Sequence, residues 1–418
     1  MRCEQGAGRC RKIAHNVMIY NVMIYLTDQA PCTNMLHCTI SGDFKLLGAS
    51  SLPIELESPP PSVTAPLPPT LIFPHPEVPL PGRVIEVAPG VFWLRMPLPF
   101  ALNHINLWLL ADEIDGVAGW TVIDCGFGDT ITRELWTAHF THNCGGLPLL
   151  RVVATHYHPD HLGNAQWLLE RMSAPEPLLW MTQAEFYAAH VVWNQLGSYS
   201  MAQTAALFAR HGMPPAAAAV QASRGNLYRA AVPELPSRYR RIVGGDVLRI
   251  GGRDWQAIIG LGHAPEHVSF FCPELNVLIS GDMLLPRIST NVSVWAADPE
   301  GDPLRLFLDS IARYATLPDD ALVLPAHGLP FIGILPRVTM LADHHRERLQ
   351  ELRLAAESPV TAHALLPVLF KRQLDVQQQF FAMGEAIAHL NHLWHRGHAH
   401  RECGPDGVVR FTNIVSRE

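Results

Sequence analysis

The chain has 418 residues, a formal net charge of −7 and 48% hydrophobic residues. That length exceeds one typical domain of roughly 100–200 residues, and that apolar content excludes global disorder. The acidic balance disfavours a general nucleic-acid binder, which carries a basic face, and no apolar run approaches the roughly 20 residues of a membrane span.

The N-terminal segment differs from the rest. Residues 16–25 repeat NVMIY twice in succession, and residues 52–82 are proline-rich, with SPPPS and PLPPT. Proline at this density favours extended polyproline conformation and removes backbone donors. Residues 1–82 therefore read as a poorly ordered extension, with docking to a proline-recognising partner as the alternative. Four of the eight cysteines, Cys3, Cys10, Cys32 and Cys38, fall here, and none of the eight forms a CxxC pair. Reduced, structural cysteines fit such a chain and point to the cytoplasm.

From Arg83 the pattern becomes regular. RVIEVA, VFWLRM and HINLWLL read as successive strands separated by the turn signals Pro89-Gly90 and Pro97–Pro99, and TVID at 121–124 is a fourth. A helix begins near Asp129 and runs to Phe140, and Leu149–Ala154 is a buried strand. Residues 184–231 read as a helical insertion, broken at Gly212–Pro215. Strands resume at 239–250, 255–259, 268–271 and 277–280. A helix follows at 303–314, then a short strand at 322–324. From residue 335 the pattern is helical, through HHRERLQELRLAAE and an amphipathic stretch at 377–395. The five histidines between His389 and His400 read as a solvated face.

The chemistry begins directly after the strand at 149–154. Thr155-His156-Tyr157-His158-Pro159-Asp160-His161 places four ligand-type side chains in six positions. Residues two apart on extended backbone face one way, so His156 and His158 can serve one ion. The turn at Pro159-Asp160 lets Asp160 and His161 face another. Imidazole nitrogen and carboxylate oxygen are zinc donors. Three distant segments add donors at strand ends beside small residues: Gly262-His263-Ala-Pro-Glu-His267, Ser280-Gly281-Asp282 and Pro325-Ala326-His327-Gly328.

THxHxDHxGN, GHxPxH, SGD and PxHG in this order resemble the metallo-β-lactamase superfamily over roughly residues 83–330. The resemblance implies an α/β fold: an αββα sandwich at 83–334, followed by a C-terminal helical, winged-helix-like domain at 335–418. It implies that His156, His158 and His263 hold one metal, that Asp160, His161 and His327 hold a second, and that Asp282 bridges them. The metals would be two zinc ions, with iron or manganese as alternatives. Asp160 and Asp282 would be the catalytic residues that orient a metal-bridging hydroxide. Asp124 and His267 match positions that support ligands without binding metal.

The implied activity is hydrolysis of a small-molecule thioester, ester or lactone, in the manner of hydroxyacylglutathione hydrolases or lactonases. The C-terminal region does not match the glutathione-binding portion of glyoxalase II. Alternatives are a phosphodiesterase or endoribonuclease, whose C-terminal domain the stretch from Leu341 resembles, and a mononuclear iron persulfide dioxygenase. Nine Lys/Arg against nine Asp/Glu from residue 341 onward leave no phosphate-binding excess. The insertion carries Phe186, Tyr187, Trp193, Tyr199, Phe208 and Tyr228, which would form an apolar lid over the metals. Expected partners are the substrate and a second copy in a homodimer, with no membrane.

Overall fold

In the computed structural model, residues 71–173 and 176–414 are described. The NVMIY repeat, most of the proline-rich stretch and the four N-terminal cysteines lie outside them.

Two sheets face each other. The first holds β1 (Ile85–Ala88), β2 (Val91–Pro97), β3 (His104–Ile114), β4 (Val117–Ile123), β5 (Leu149–Val153), β6 (Leu179–Thr182) and β7 (Tyr239–Ile242), in sequence order. It is antiparallel from β1 to β4 and parallel from β4 to β7. The second runs β13-β12-β11-β10-β9-β8, built from β8 (Val247–Ile250), β9 (Arg253–Gly260), β10 (His267–Cys272), β11 (Val277–Gly281), β12 (Leu322–Pro325) and β13 (Phe331–Ile332). β11 and β12 are its parallel pair.

The sheets are glued by alternate side chains from both inner faces, among them Trp93, Trp108, Ile123, Val153, Trp255, Val268, Phe270 and Ile279. Helices cover the outer faces. Thr130–His142, capped by the Asp129 carboxylate accepting from Thr132 N, lays Trp136 on the first sheet. Pro303–Tyr314 turns Leu304, Phe307 and Ile311 onto the second. This is the αββα sandwich expected.

The run at 239–250 is not one strand. Gly244-Gly245-Asp246 breaks it into β7 and β8, which belong to different sheets, so the chain crosses between layers there. Glycine with φ +89° at position 245 permits the turn that a uniform β pattern hides.

The C-terminal part carries the helices Ile334–Ala355 and Val376–His395 and a hairpin, β14 (Ala399–Cys403) with β15 (Val409–Asn413). The hairpin accords with the winged-helix-like expectation, although the residue pattern by itself reads as helical. The insertion helices Met201–Arg210 and Pro215–Ala222 pack into this C-terminal core. Phe208 meets Phe380 with ring centroids 5.5 Å apart, Phe186 stacks on Tyr239 at 4.1 Å, and Trp193 Nε1 donates to the Val232 carbonyl. Phe186, Trp193 and Phe208 thus pack the insertion and do not form a lid, while Tyr187 and Tyr199 are exposed. Of the six, Tyr228 reaches the metal-ligand loop, its hydroxyl donating to the Tyr157 carbonyl at 2.6 Å.

Of the C-terminal histidines, His395, His398 and His400 are exposed as expected, and two are not. His389 and His392 are buried. His392 Nδ1 lies 3.0 Å from Asp302 Oδ1, which ties the last helix to the start of the 303–314 helix. His389 Nδ1 donates to the Glu385 carbonyl, and its Nε2 sits 3.1 Å from His345 Nδ1. Burial pulls the His389 imidazole down to about 4. The unfolded chain, with a histidine pKa near 6.5, therefore binds more protons between about pH 6.5 and 4, and stability rises with pH across that window. His389→Gln is expected to flatten the pH dependence of the thermal midpoint by about one proton there, worth roughly 3 kcal/mol at the acid end. An unchanged slope would show that His389 is protonated in the native state.

Candidate metal centre

Every histidine and acid of the candidate set sits where a strand has just ended. β5 leads into His156 and His158, the latter on extended backbone. Pro159 then starts a one-turn helix, Pro159–Leu162, which lifts Asp160 and His161 to the other side. His263 lies in the β9–β10 loop, and Asp282 and His327 directly follow β11 and β12. Strands β11 and β12 are parallel neighbours, so the last two arrive side by side.

The seven side chains are all buried and form two groups. In the first, donor atoms of His156, His158, His263 and Asp282 lie within 4.8 Å of one another, and Asp160, His161 and His327 do the same in the second. Asp282 faces both. Its Oδ2 lies 3.4 Å from His263 Nε2 and 4.0 Å from His156 Nε2, while its Oδ1 lies 3.5 Å from His161 Nε2 and 3.3 Å from His327 Nε2. Asp160 Oδ2 is 3.7 Å from His161 Nε2 and 3.4 Å from His327 Nε2.

Hydrogen bonds behind the ligands fix the tautomers. His161 Nδ1 donates to Asp124 Oδ2 at 2.7 Å, His263 Nδ1 to the Asn291 carbonyl at 2.8 Å and His327 Nδ1 to the His104 carbonyl at 2.9 Å. With the proton on Nδ1, each Nε2 presents a lone pair to the centre. The Thr155 hydroxyl donates to Asp124 and receives His156 Nδ1 at 3.0 Å. His156 Nε2 faces His158 Nδ1 at 2.7 Å and His263 Nε2 at 3.3 Å. Nitrogens this close need a proton or a cation between them. In the second group, Asp160 Oδ2, His161 Nε2, His327 Nε2 and Asp282 Oδ1 have no hydrogen-bond partner. Buried polar atoms are otherwise almost always satisfied. The donor set therefore fits divalent cations at both positions.

Electrostatics agree. Burial, then the neighbouring imidazoles, holds His156 well below the usual histidine range, and burial with His263 does the same for His158. Both are kept neutral, the form that binds metal. Burial would also lower His161 and His327, but Asp124 and Asp160 outweigh it for the former and Asp282 for the latter, which rises to about 9. Burial would raise Asp282, yet His327 and His161 hold it well below the usual carboxylate range. Without cations, protons on these imidazoles balance the acids.

His267 is not among the clustered donors. Its Nε2 accepts the Asp282 N–H at 3.1 Å, so it steers the aspartate's backbone. Gly281 makes this approach work: its φ is +53°, and a Cβ added there would lie 2.3 Å from His267 Nε2. Gly281→Ala is expected to cost about 1–2 kcal/mol in backbone strain alone, and to lower metal content as His267 is displaced. Thermal unfolding with metal analysis checks this; wild-type values for both would remove glycine's special role.

Three contributors carry no signal in the sequence pattern. Glu185, fully buried on the helix Gln183–Trp193, accepts the Tyr157 N–H on Oε2 at 2.9 Å and the Glu266 N–H on Oε1 at 2.6 Å. Burial pushes its carboxyl up to about 8, against the pull of those two donors. Asn291 orients His263 through its backbone, so its side chain gives no clue; its Nδ2 reaches Glu385 Oε2 at 3.4 Å on the last helix. His104 accepts the Gly328 N–H on Nε2 at 2.9 Å while its carbonyl holds His327.

With this geometry in place, the comparisons with known proteins decide the family. The metallo-beta-lactamase superfamily model matches residues 103–327. The chain belongs to the metallo-β-lactamase superfamily. A second model, the metallo-beta-lactamase-like C-terminal domain, matches residues 349–414. A solved beta-lactamase domain protein from Burkholderia ambifaria is 48% identical, with a TM-score of 0.76 over 82% of this chain and 98% of that one. A metallo-beta-lactamase family protein from Thermus thermophilus is 27% identical, with a TM-score of 0.66 over 79% of this chain and all of that one. The Bacillus subtilis protein named Probable metallo-hydrolase YqjP is 26% identical over 72% of this chain and 92% of its own length. The protein is thus a superfamily metallo-hydrolase. Among the described residues, no helix is long and apolar enough to cross a membrane.

Proposed function

We propose that the chain hydrolyses thioesters, esters or lactones with two zinc ions, one held by His156, His158 and His263, the other by Asp160, His161 and His327, with Asp282 shared. The observation that carries this reading is Asp282, whose two carboxylate oxygens face different histidine groups. Bound zinc lowers the pKa of water from 15.7 to about 7 and polarises a carbonyl. Asp160 and Asp282 would orient the attacking water between the two donor groups. Acyl chemistry is supported by two relatives named hydroxyacylglutathione hydrolase: one from Rhodobacter capsulatus, 28% identical over 43% of this chain and 67% of its own length, and one from Yersinia enterocolitica, 34% identical over 21% and 31%.

A substrate panel on the zinc-loaded protein tests the proposal. S-lactoylglutathione, simple thioesters and acyl lactones are expected to turn over, while RNA and bis-p-nitrophenyl phosphate are not. Cleavage of the phosphodiesters alone would overturn it, as would one iron per chain with no gain from zinc.

A further inference from the structure

The buried and half-buried cations of this protein are mostly accounted for. Arg151 faces Asp112 across 3.8 Å, and Arg337 donates to the Leu285 and Ile288 carbonyls. Arg95 and Arg287 differ. Each is partly buried, and among the described residues neither has a hydrogen-bond or ion-pair partner. Burial alone pulls the Arg95 guanidinium down to about 10, with no acid offsetting it.

The fold shows where Arg95 lies. Side chains alternate along β2, so Arg95 shares the inner face with Trp93, which is stacked on Trp108 between the sheets. Its cross-strand partner is Asn106, whose Nδ2 donates to the Pro325 and Gly328 carbonyls on either side of His327. Next on that face is His104, paired with Pro97, its ring 6.2 Å from that of His327. Arg95 thus continues a row that ends at the second donor group. Arg287 follows Pro286, and Pro286 packs against Gly328. Both arginines therefore belong to segments that abut the His327–Gly328 turn.

A largely buried guanidinium without a protein partner, as at Arg95, is held less comfortably than one that meets an anion, while the more open Arg287 can add charge beside it. Its planar fork suits carboxylate or phosphate oxygens. We infer that Arg95, with Arg287, recognises an oxyanionic group on the substrate, a carboxylate or a phosphate ester, bound beside the donor group of Asp160, His161 and His327. This names a substrate class and rests on the hydrolase reading above.

The test uses the full-length, zinc-loaded protein and a matched set of S-phenyl thioesters: the succinyl compound with a free carboxylate, its methyl ester, and the 3-phosphonopropionyl analogue. The protein is expected to prefer a charged member, and whichever charged member wins identifies the anion. Arg95→Met is expected to cut the charged-to-neutral ratio of kcat/KM about ten- to hundredfold, mostly through KM, with Arg95→Lys intermediate and Arg287→Met weaker. Equal loss on charged and neutral thioesters, or preference for the methyl ester, overturns the inference. Calorimetric titration with succinate and with inorganic phosphate separates the two claims. If no thioester turns over but Arg95→Met weakens succinate or phosphate binding tenfold, the anion site stands and the hydrolase reading falls. If thioesters turn over and Arg95→Met changes neither ratio nor binding, the anion site falls alone.

Discussion

Asp282→Ala is expected to empty the centre and abolish activity together. The carboxylate is buried, and each oxygen faces a different donor group. Removing it takes one donor from each cation and leaves five imidazoles with Asp160 to balance two divalent charges. Metal catalysis contributes several kcal/mol of charge stabilisation, and each 1.36 kcal/mol is a factor of ten in rate. The loss should therefore be at least about a thousandfold. Metal content after dialysis should fall from two per chain to below one. Asp282→Asn keeps the shape and the backbone N–H bond to His267 but not the charge, and should retain more fold stability than metal. Near-wild-type metal and activity in Asp282→Ala would mean that the two groups do not share a ligand.

Why this centre is readable from the sequence, and parts of its support are not, follows from where each residue sits. His156, His158, Asp160 and His161 crowd one loop, and the other donors follow apolar strands beside glycine or alanine, so position and chemistry coincide. The strands of the sandwich are likewise legible as apolar runs bounded by turn residues, as in β2, or where apolar and polar residues alternate, as in the first part of β9. What escapes depends on tertiary contact. Glu185 looks like any helical glutamate until the fold buries it, and Asn291 acts through its main-chain carbonyl. The break between β7 and β8 is masked by apolar residues that continue the alternation on both sides of Gly244-Gly245. His389 and His392 mislead because their spacing says nothing of the helices packed over them. Tyr228 and its aromatic neighbours in the insertion suggest a lid because composition cannot tell packing from a binding surface.

Glu185→Ala is expected to be the most damaging change outside the donors themselves. One carboxyl group holds Tyr157 N–H, between His156 and His158, and Glu266 N–H, three residues after His263. It therefore ties together the two loops that supply all three imidazoles of the first group. Glu266 returns the contact by accepting Ala184 N–H at 3.0 Å, which locks the helix start against the same loop. Alanine leaves two buried N–H groups without acceptors, at roughly 1–3 kcal/mol each. Supporting interactions of this kind typically change metal affinity about ten- to hundredfold. The expected protein unfolds several degrees lower and, in a competing chelator, releases one metal well before the other. Glu185→Gln keeps one acceptor and should fall between. The asymmetry is the diagnostic: a general loosening would release both metals together, because His161 and His327 draw their support from Asp124 and His104 and not from Glu185. Simultaneous release would make Glu185 a core residue with no particular tie to the first group.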